Sequence, residues 1–380
     1  MFDYNKKGEI MEIECLRENL IKSLNIVGRI IPSRPSLPVL ASVYISAKEN
    51  RLNFFGTDLE IGAQSSMPAK IINEGIVLAP AKLLLDYISS NQDPIITFKK
   101  EGNVLITQSE HHKATFSIFN EKDYPTPPEI TTGIEIILPF NKLIEAFKLV
   151  IIACSNDESR PILNGVYLLP SEDLKIVGTD SYRLAEYRIN LEKDKETLKI
   201  NPLIIPKRTI SELIRISSLI SPEDNRLKIV VSDKEVRFII AENQLYSRLI
   251  EGSFPDYEKV IPKNFNTLVT ISRNDLLSLV KAISVFNREL NSSTKIAILK
   301  EAIKLKTSSS EFGQLESVSL AKVEGEELEI TFNTRFILDV LTTLSTKEIV
   351  FGLNSKNEPA RITSPENPHY QYIMMPLRVE

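Results

Sequence analysis

Glycine is scarce in this chain, with 13 in 380 residues. Nowhere do the glycines form GxGxxG or GxxxxGK followed by Ser or Thr. A nucleotide cradle needs glycines so that backbone N–H groups can approach phosphates, so both common cofactor loops are excluded. Histidine is rarer still, with only His111, His112 and His369. There is no HExxH, no CxxC and no GxSxG, so the usual zinc and nucleophile signatures are missing. No cofactor, no metal ligand set and no catalytic residue is predicted. The two cysteines, Cys15 and Cys154, cannot make a disulfide framework and suit a reducing compartment. No run of 18 apolar residues is present to span a membrane. The first ten residues, MFDYNKKGEI, lack the apolar stretch of a signal peptide. They read as a short disordered extension before Met11, and a cytoplasmic location follows by default.

What is present is ordinary in amount and unusual in arrangement. A length of 380 residues suggests two or three domains. Apolar residues at 42% and charged residues at 25% are globular proportions, which exclude a long disordered chain. The net charge of −4 argues against a protein held to nucleic acid by bulk charge, but leaves room for a local basic patch.

The chain repeats itself three times. Amphipathic helix candidates begin at Arg17, Phe140 and Arg273, each after a short β-like run. Aligned on Leu20, Leu143 and Leu276, they are 123 and 133 residues apart. A second helix candidate follows in each third, at APAKLLLDYISS, IPKRTISELIRISS and FNTRFILDVLTTLS, spaced by 126 and 127 residues. Each third then ends on an aromatic or Met residue before proline: Tyr124-Pro125, Phe254-Pro255 and Met375-Pro376. The first two thirds also share an Arg-Pro, a Val-Tyr pair and a Gly-Thr-Asp, at Gly56-Thr57-Asp58 and Gly178-Thr179-Asp180. Alternating runs such as VYISAKENRLNFFGT predict antiparallel hairpins, with turns at Lys48-Glu49-Asn50 and Ser232-Asp233-Lys234. Each third therefore reads as two helices and about eight short strands, an α+β unit. Domains are expected at 11–132, 133–256 and 257–380, with linkers near 125–133 and 256–267.

Charge is divided unevenly. The six helix candidates (17–34, 81–90, 140–155, 205–218, 273–289 and 333–345) hold 14 Lys or Arg against 7 Asp or Glu. They are +7, and the rest of the chain is −11. A solvated helix face explains any one such bias. A shared sign over six related helices suggests one basic face that meets phosphates without reading bases. No aromatic residues interleave with the basic ones, so stacking on single strands is not indicated.

Taken together, RPSLPVLASVYI, GTDLEIG, RPILNG, GTDSYRLA, SFPDYEKVIPK, FNTRFILDVL and the terminal MMPLRV resemble the bacterial DNA polymerase III beta subunit family, the sliding clamps. The resemblance runs from Met11 to the C-terminus. It implies three tandem clamp domains, each of two helices packed on antiparallel sheets, and a head-to-tail homodimer closed into a ring around double-stranded DNA. It implies no catalysis: the ring holds the replicative DNA polymerase to DNA, and clamp loader and repair polymerases dock on it through short peptide motifs. At the matching positions it implies DNA contacts for Arg34, Arg160, Asn164, Lys207 and Arg208. Arg34 and Arg160 each precede proline and have a structural reading as well.

The resemblance also implies a partner-peptide pocket. Its matching positions are Leu163, Thr179, Tyr182, Arg183, Leu184, Pro255, Lys259, Val260, Phe336 and the tail Ile373, Met374, Met375, Pro376, Leu377 and Arg378. Apolar side chains and flexible methionines suit a leucine or phenylalanine anchor. Arg183 and Arg378 would orient polar groups at its rim. Leu163, Leu184 and Val260 could instead be ordinary core. Tyr182 stands where many relatives have histidine and Lys259 where arginine is common, which bears on partner preference. Asp58 and Asp180 read as turn residues, since each recurs in the same motif. Two other functions remain open at this point: a carboxylate-dependent nuclease among the 50 acidic residues, and a repeat-built scaffold that binds only proteins.

Overall fold

A computed structural model describes residues 11–125, 133–190, 200–220, 222–286, 293–307 and 313–378. The expected extension at 1–10 and most of the first linker lie outside the described residues. Six α-helices occur among the described residues: α1 (Arg17–Gly28), α2 (Ala81–Ser90), α3 (Phe140–Val150), α4 (Lys207–Ser217), α5 (Arg273–Phe286) and α6 (Thr334–Thr343). Nine, eight and nine strands fall in the three thirds.

α2 matches the segment read from sequence, while α1, α3, α4 and α6 are shorter than theirs. α1 stops at Gly28, and Ile30 donates its N–H back to the Val27 carbonyl (3.1 Å), which tightens the last turn. Pro32 and Pro35 follow, and a residue before proline avoids the helical region. Arg34 is thus on an irregular segment, not on a helix. α6 begins one residue late because Asn333 caps it, its side-chain oxygen accepting from the Arg335 N–H at 2.9 Å.

The predicted turns are present. Glu49 and Asn50 both have positive φ (53° and 60°) between the paired strands Ser42–Lys48 and Arg51–Thr57. That is the two-residue hairpin whose twist matches its strands. Ser232 donates to the Glu235 carbonyl (2.9 Å) where Arg226–Val231 turns into Glu235–Ile240.

The chain divides into two compact units, Met1–Phe140 with Glu212–Leu249, and Asn141–Ser211 with Ile250–Glu380. These do not follow the repeats, because strands of the middle third complete a sheet in each unit. The first unit holds a sheet ordered Lys70–Asn73, Glu12–Leu16, Ile95–Glu101, Val104–Gln108, Lys113–Ser117. Its second sheet has eight strands, in which Asn243–Arg248 lies antiparallel to Ile61–Pro68, with Tyr246 opposite Gly62. The second unit repeats that joint in a nine-stranded sheet: Asn367–Met374 lies antiparallel to Arg183–Asn190, with Ile373 opposite Leu184. Its other sheet is ordered Glu316–Leu320, Ala302–Thr307, Ser293–Leu299, Leu328–Asn333.

Burial follows the alternation of the strands. Inward residues such as Val43, Ile45, Ala47 and Leu52 are buried along one hairpin, and the helices seal the same core with Leu20, Leu24 and Leu84. Among the described residues no helix is long and apolar enough to cross a membrane.

Candidate peptide cleft and basic residues

Two turns with one design stand at matching places in the repeats. In the first, Thr57 Oγ1 donates to the Ile61 carbonyl (2.9 Å) and accepts from the Leu59 N–H (2.9 Å). Asp58 Oδ1 accepts from the N–H groups of Glu60 and Ile61 (3.0 and 2.9 Å). In the second, Thr179 Oγ1 donates to the Arg183 carbonyl (2.7 Å) and accepts from the Ser181 N–H (3.2 Å). Asp180 Oδ1 accepts from Tyr182 and Arg183 (both 3.0 Å). The third residue of each turn is left-handed, Leu59 at φ 79° and Ser181 at φ 78°. The reading of Asp58 and Asp180 as turn residues rather than a carboxylate pair therefore holds.

The second turn borders the expected pocket, all of it within the second unit. A buried cluster of Val177, Leu184, Tyr257 and Ile373 makes the floor, backed by Tyr167, Phe254 and Ile261. Tyr167 stacks on Phe254 with ring centroids 4.4 Å apart. The tail returns past the turn: Met375 donates its N–H to the Tyr182 carbonyl and Leu377 donates to the Thr331 carbonyl, each at 2.8 Å. Around this floor Tyr182, Pro255, Lys259, Val260, Met375, Leu377 and Arg378 are exposed, while Phe336 and Pro376 are half-buried. Lys259 pairs with Asp256 at 2.8 Å, one turn back.

Several expected site residues have other roles. Leu184, Ile373 and Met374 are buried, so they support the cleft from beneath and do not line its surface. Leu163 is 9% exposed inside the 3-10 turn Pro161–Asn164, which agrees with its core reading. Val260, open to solvent, is not core. Arg183 is not at the rim. Its Nε donates to Asp180 (2.9 Å), and Nη1 donates to Asp339 (2.6 Å) and to the Tyr372 hydroxyl (3.3 Å). Its guanidinium carbon lies 4.3 Å from the Phe336 ring centroid. It is a buried clamp tying the turn to α6.

Sequence reading missed Asp339, Tyr372 and Tyr257, which hold this arrangement. Tyr257 donates to Glu186 Oε2 (2.9 Å), and Glu186 Oε1 accepts from Arg188 Nε and Gln371 Nε2 (both 2.8 Å). Burial, then the Glu186 charge, pushes the Tyr257 hydroxyl upward, which keeps it a donor. Tyr124, which marks the end of the first repeat as Phe254 does the second, donates to the Ser42 carbonyl at 3.1 Å.

The expected DNA-contact residues divide between the units, Arg34 in the first and the others in the second. Arg34, Arg160 and Arg208 are exposed, and Asn164 is half-buried. Arg160 Nε donates to Asp157 (3.0 Å), which fixes the loop before Pro161. Lys207 Nζ is half-buried and donates to the Cys154 carbonyl (2.9 Å) and Asn156 Oδ1 (2.7 Å). Desolvation lowers its pKa. The helix charge bias is therefore partly structural. Arg17 donates to the carbonyls of Ile88 and Ser89 at the end of α2, and Arg273 donates to Leu341 at the end of α6. Arg215 does the same for Asn25 and Ile26 in α1. These cations neutralise helix C-termini.

Catalytic groups find little support. Burial pushes both Cys15 and Cys154 up to about 12, so neither is a thiolate at neutral pH. Asp93, Glu110 and His111 bring ligand atoms within 4.8 Å, yet both Asp93 oxygens already accept from His111.

Comparison with known proteins decides the family. Three successive family models match in tandem: the N-terminal domain of the DNA polymerase III beta subunit over 11–128, the central domain over 137–256 and the C-terminal domain over 258–378. The chain belongs to the DNA polymerase III beta subunit family. As a member of it, the chain is a DNA sliding clamp and not an enzyme. It is 30% identical to a beta sliding clamp of Synechocystis and 28% identical to one of Haemophilus influenzae, covering 97% of this chain and 100% of each relative. A Bartonella birtlesii sliding clamp, solved bound to griselimycin, has a TM-score of 0.91 at 28% identity. The Caulobacter crescentus clamp, with polyethylene glycol bound to its putative beta-motif tethering region, has 0.91 at 27%. Both alignments cover all of the solved chain, with 97% and 98% of this one. The family-level expectation, three tandem α+β clamp domains, is met.

Proposed function

We propose that two copies of this chain close around duplex DNA and tether DNA polymerases and their loading machinery through the cleft beside Thr179–Leu184. The repeat boundaries at 11–132, 133–256 and 257–380 define its domains. The observation that carries the reading is the joint between strands, made twice inside the chain. Asn243–Arg248 meets Ile61–Pro68, and Asn367–Met374 meets Arg183–Asn190. The counterparts left over are Lys113–Ser117 in the first repeat and Glu316–Leu320 in the third, each an outer edge of its sheet. Open edges invite pairing. Joining them between two chains would make the same joint again, twice, and close the assembly with C2 symmetry.

The DNA reading rests on the exposed cations Arg34, Arg160 and Arg208. Arg34, Arg160 and Arg208 can meet phosphates through screened, sequence-neutral attraction, which permits sliding. Lys207 stiffens the neighbouring loop, so the test leaves it intact. With Arg34→Glu and Arg208→Glu together, retention on nicked circular DNA after loading should fall several-fold, and more steeply as salt rises. Retention equal to the parent's would remove these side chains from the DNA path. The parent should also leave the DNA when the circle is linearised; retention on linear DNA would contradict topological holding.

The peptide reading rests on an apolar floor beneath exposed Val260, Met375 and Leu377. Removing Met375–Glu380 should abolish binding of a polymerase C-terminal peptide, measured by fluorescence anisotropy. The thermal midpoint should fall only modestly, since beyond the strand end at Met374 two backbone hydrogen bonds are lost, Met375 to Tyr182 and Leu377 to Thr331. An unchanged peptide affinity would refute the placement of the cleft.

A further inference from the structure

The first unit contains a cleft of its own. It has a volume of about 170 Å3 and is walled by the Thr57–Gly62 turn, Pro125 and the strand residues Tyr246–Arg248, with Phe55 at its base. Its parts correspond to those of the second-unit cleft through the shared turn and the shared strand joint. Thr57 matches Thr179, Phe55 matches Val177, and Pro125 matches Pro255. The register places Tyr246 where Ile373 stands and Arg248 where Met375 stands. The aromatic support recurs as well, Tyr44 stacked with Tyr124 at 6.1 Å as Tyr167 is with Phe254.

Two features indicate a ligand and not a relic of duplication. Leu59 is 47% exposed and occupies the left-handed position of the turn, where leucine is strained and asparagine is tolerated. That exposed apolar side chain borders the cleft. The second feature is charge. The charged lining residues are Glu60, Glu235 and Arg248, with Arg248 paired to Glu60 at 3.1 Å, and Arg237 lies just outside the lining, 5.9 Å from the Tyr246 ring. Glu235 has no ion pair among the described residues. At the second-unit cleft the exposed cations are Lys259, paired with Asp256 at 2.8 Å, and Arg378.

We propose that the Thr57–Gly62 cleft is a second linear-peptide site, taking an extended segment with a bulky apolar anchor flanked by basic residues. The anchor sits against Leu59, Phe55 and Tyr246, and the basic flank meets Glu235 and Glu60. The structural analogy rests on reading the other cleft as a peptide site; the strain and charge arguments do not.

The test uses the full chain and two fluorescein-labelled nonapeptides followed by anisotropy. Both have a central Leu-Leu-Phe, one flanked by lysines and the other by aspartates. The lysine probe should lose at least tenfold in affinity with Glu235→Lys and with Leu59→Asn, and keep its affinity with Val260→Glu. Leu59→Asn relieves the left-handed backbone, so its thermal midpoint should not fall and the loss can be assigned to the cleft. The proposal is overturned if the lysine probe binds no better than a scrambled peptide, ignores both first-unit variants, or is lost with Val260→Glu. Should the aspartate probe fail to bind while the lysine probe behaves as expected, the second-unit reading falls and this one stands.

Discussion

Replacing Arg183 with alanine should lower the stability of the second unit by about 3 kcal/mol, the low end for breaking a buried ion pair because Asp339 remains partly solvated. The guanidinium is 9% exposed and holds two carboxylates, Asp180 and Asp339, at 2.9 and 2.6 Å. Without it both anions lose their cation, and Phe336 loses the group over its ring. At roughly 2–4 °C per kcal/mol for a unit of this size, the thermal midpoint should drop by roughly 6–12 °C. The double variant Arg183→Met with Asp339→Asn should recover part of the loss, since the uncompensated charge is then gone. Peptide affinity should fall with stability, because the clamp fixes the turn whose carbonyl holds Met375. A midpoint within 2 °C of the parent would show that the clamp contributes nothing net, as many ion pairs do.

The second large effect concerns the open edge of the third repeat. Leu320 is 82% exposed and Val318 is 54% exposed on the strand Glu316–Leu320. Burying a leucine contributes about 1.5–3 kcal/mol, and a ring of two chains has two such joints. Val318→Asp with Leu320→Asp should therefore convert a particle of about twice 43.0 kDa into a 43.0 kDa monomer in light scattering at micromolar concentration. These side chains touch little within the chain, so circular dichroism should be unchanged. A dimer that persists at the parent's affinity would show that another surface joins the copies.

The repeat was legible because it is written in hydrophobic spacing and in turn chemistry. Glu49-Asn50, the two Thr-Asp turns and the paired helix starts all survive as features that local sequence determines. The cleft was legible as a set of positions but not as a set of roles. Whether Arg183 faces solvent depends on Asp339, 156 residues away, and on Tyr372, 189 residues away. No spacing rule carries that. The positive bias of the helices has a related cause. Counting cations on helices ignores helix ends, where Arg17, Arg215 and Arg273 meet carbonyls of other helices. Arg34 was placed on a helix because apolar periodicity ran on past Gly28, while prolines ended the helix first.

The middle repeat lends strands to both compact units, and this has a cost during synthesis. Ile61–Pro68 must wait for Asn243–Arg248, roughly 180 residues later, before its second edge is covered. Until then the nascent chain carries an unfinished sheet, the kind of surface that chaperones shield. Closure over such a span is slow. Excising one repeat would not yield a miniature of the whole, since a cut between the first and middle repeats leaves the Ile61–Pro68 edge bare. Folding this chain is therefore a problem of timing across repeats rather than of any repeat alone.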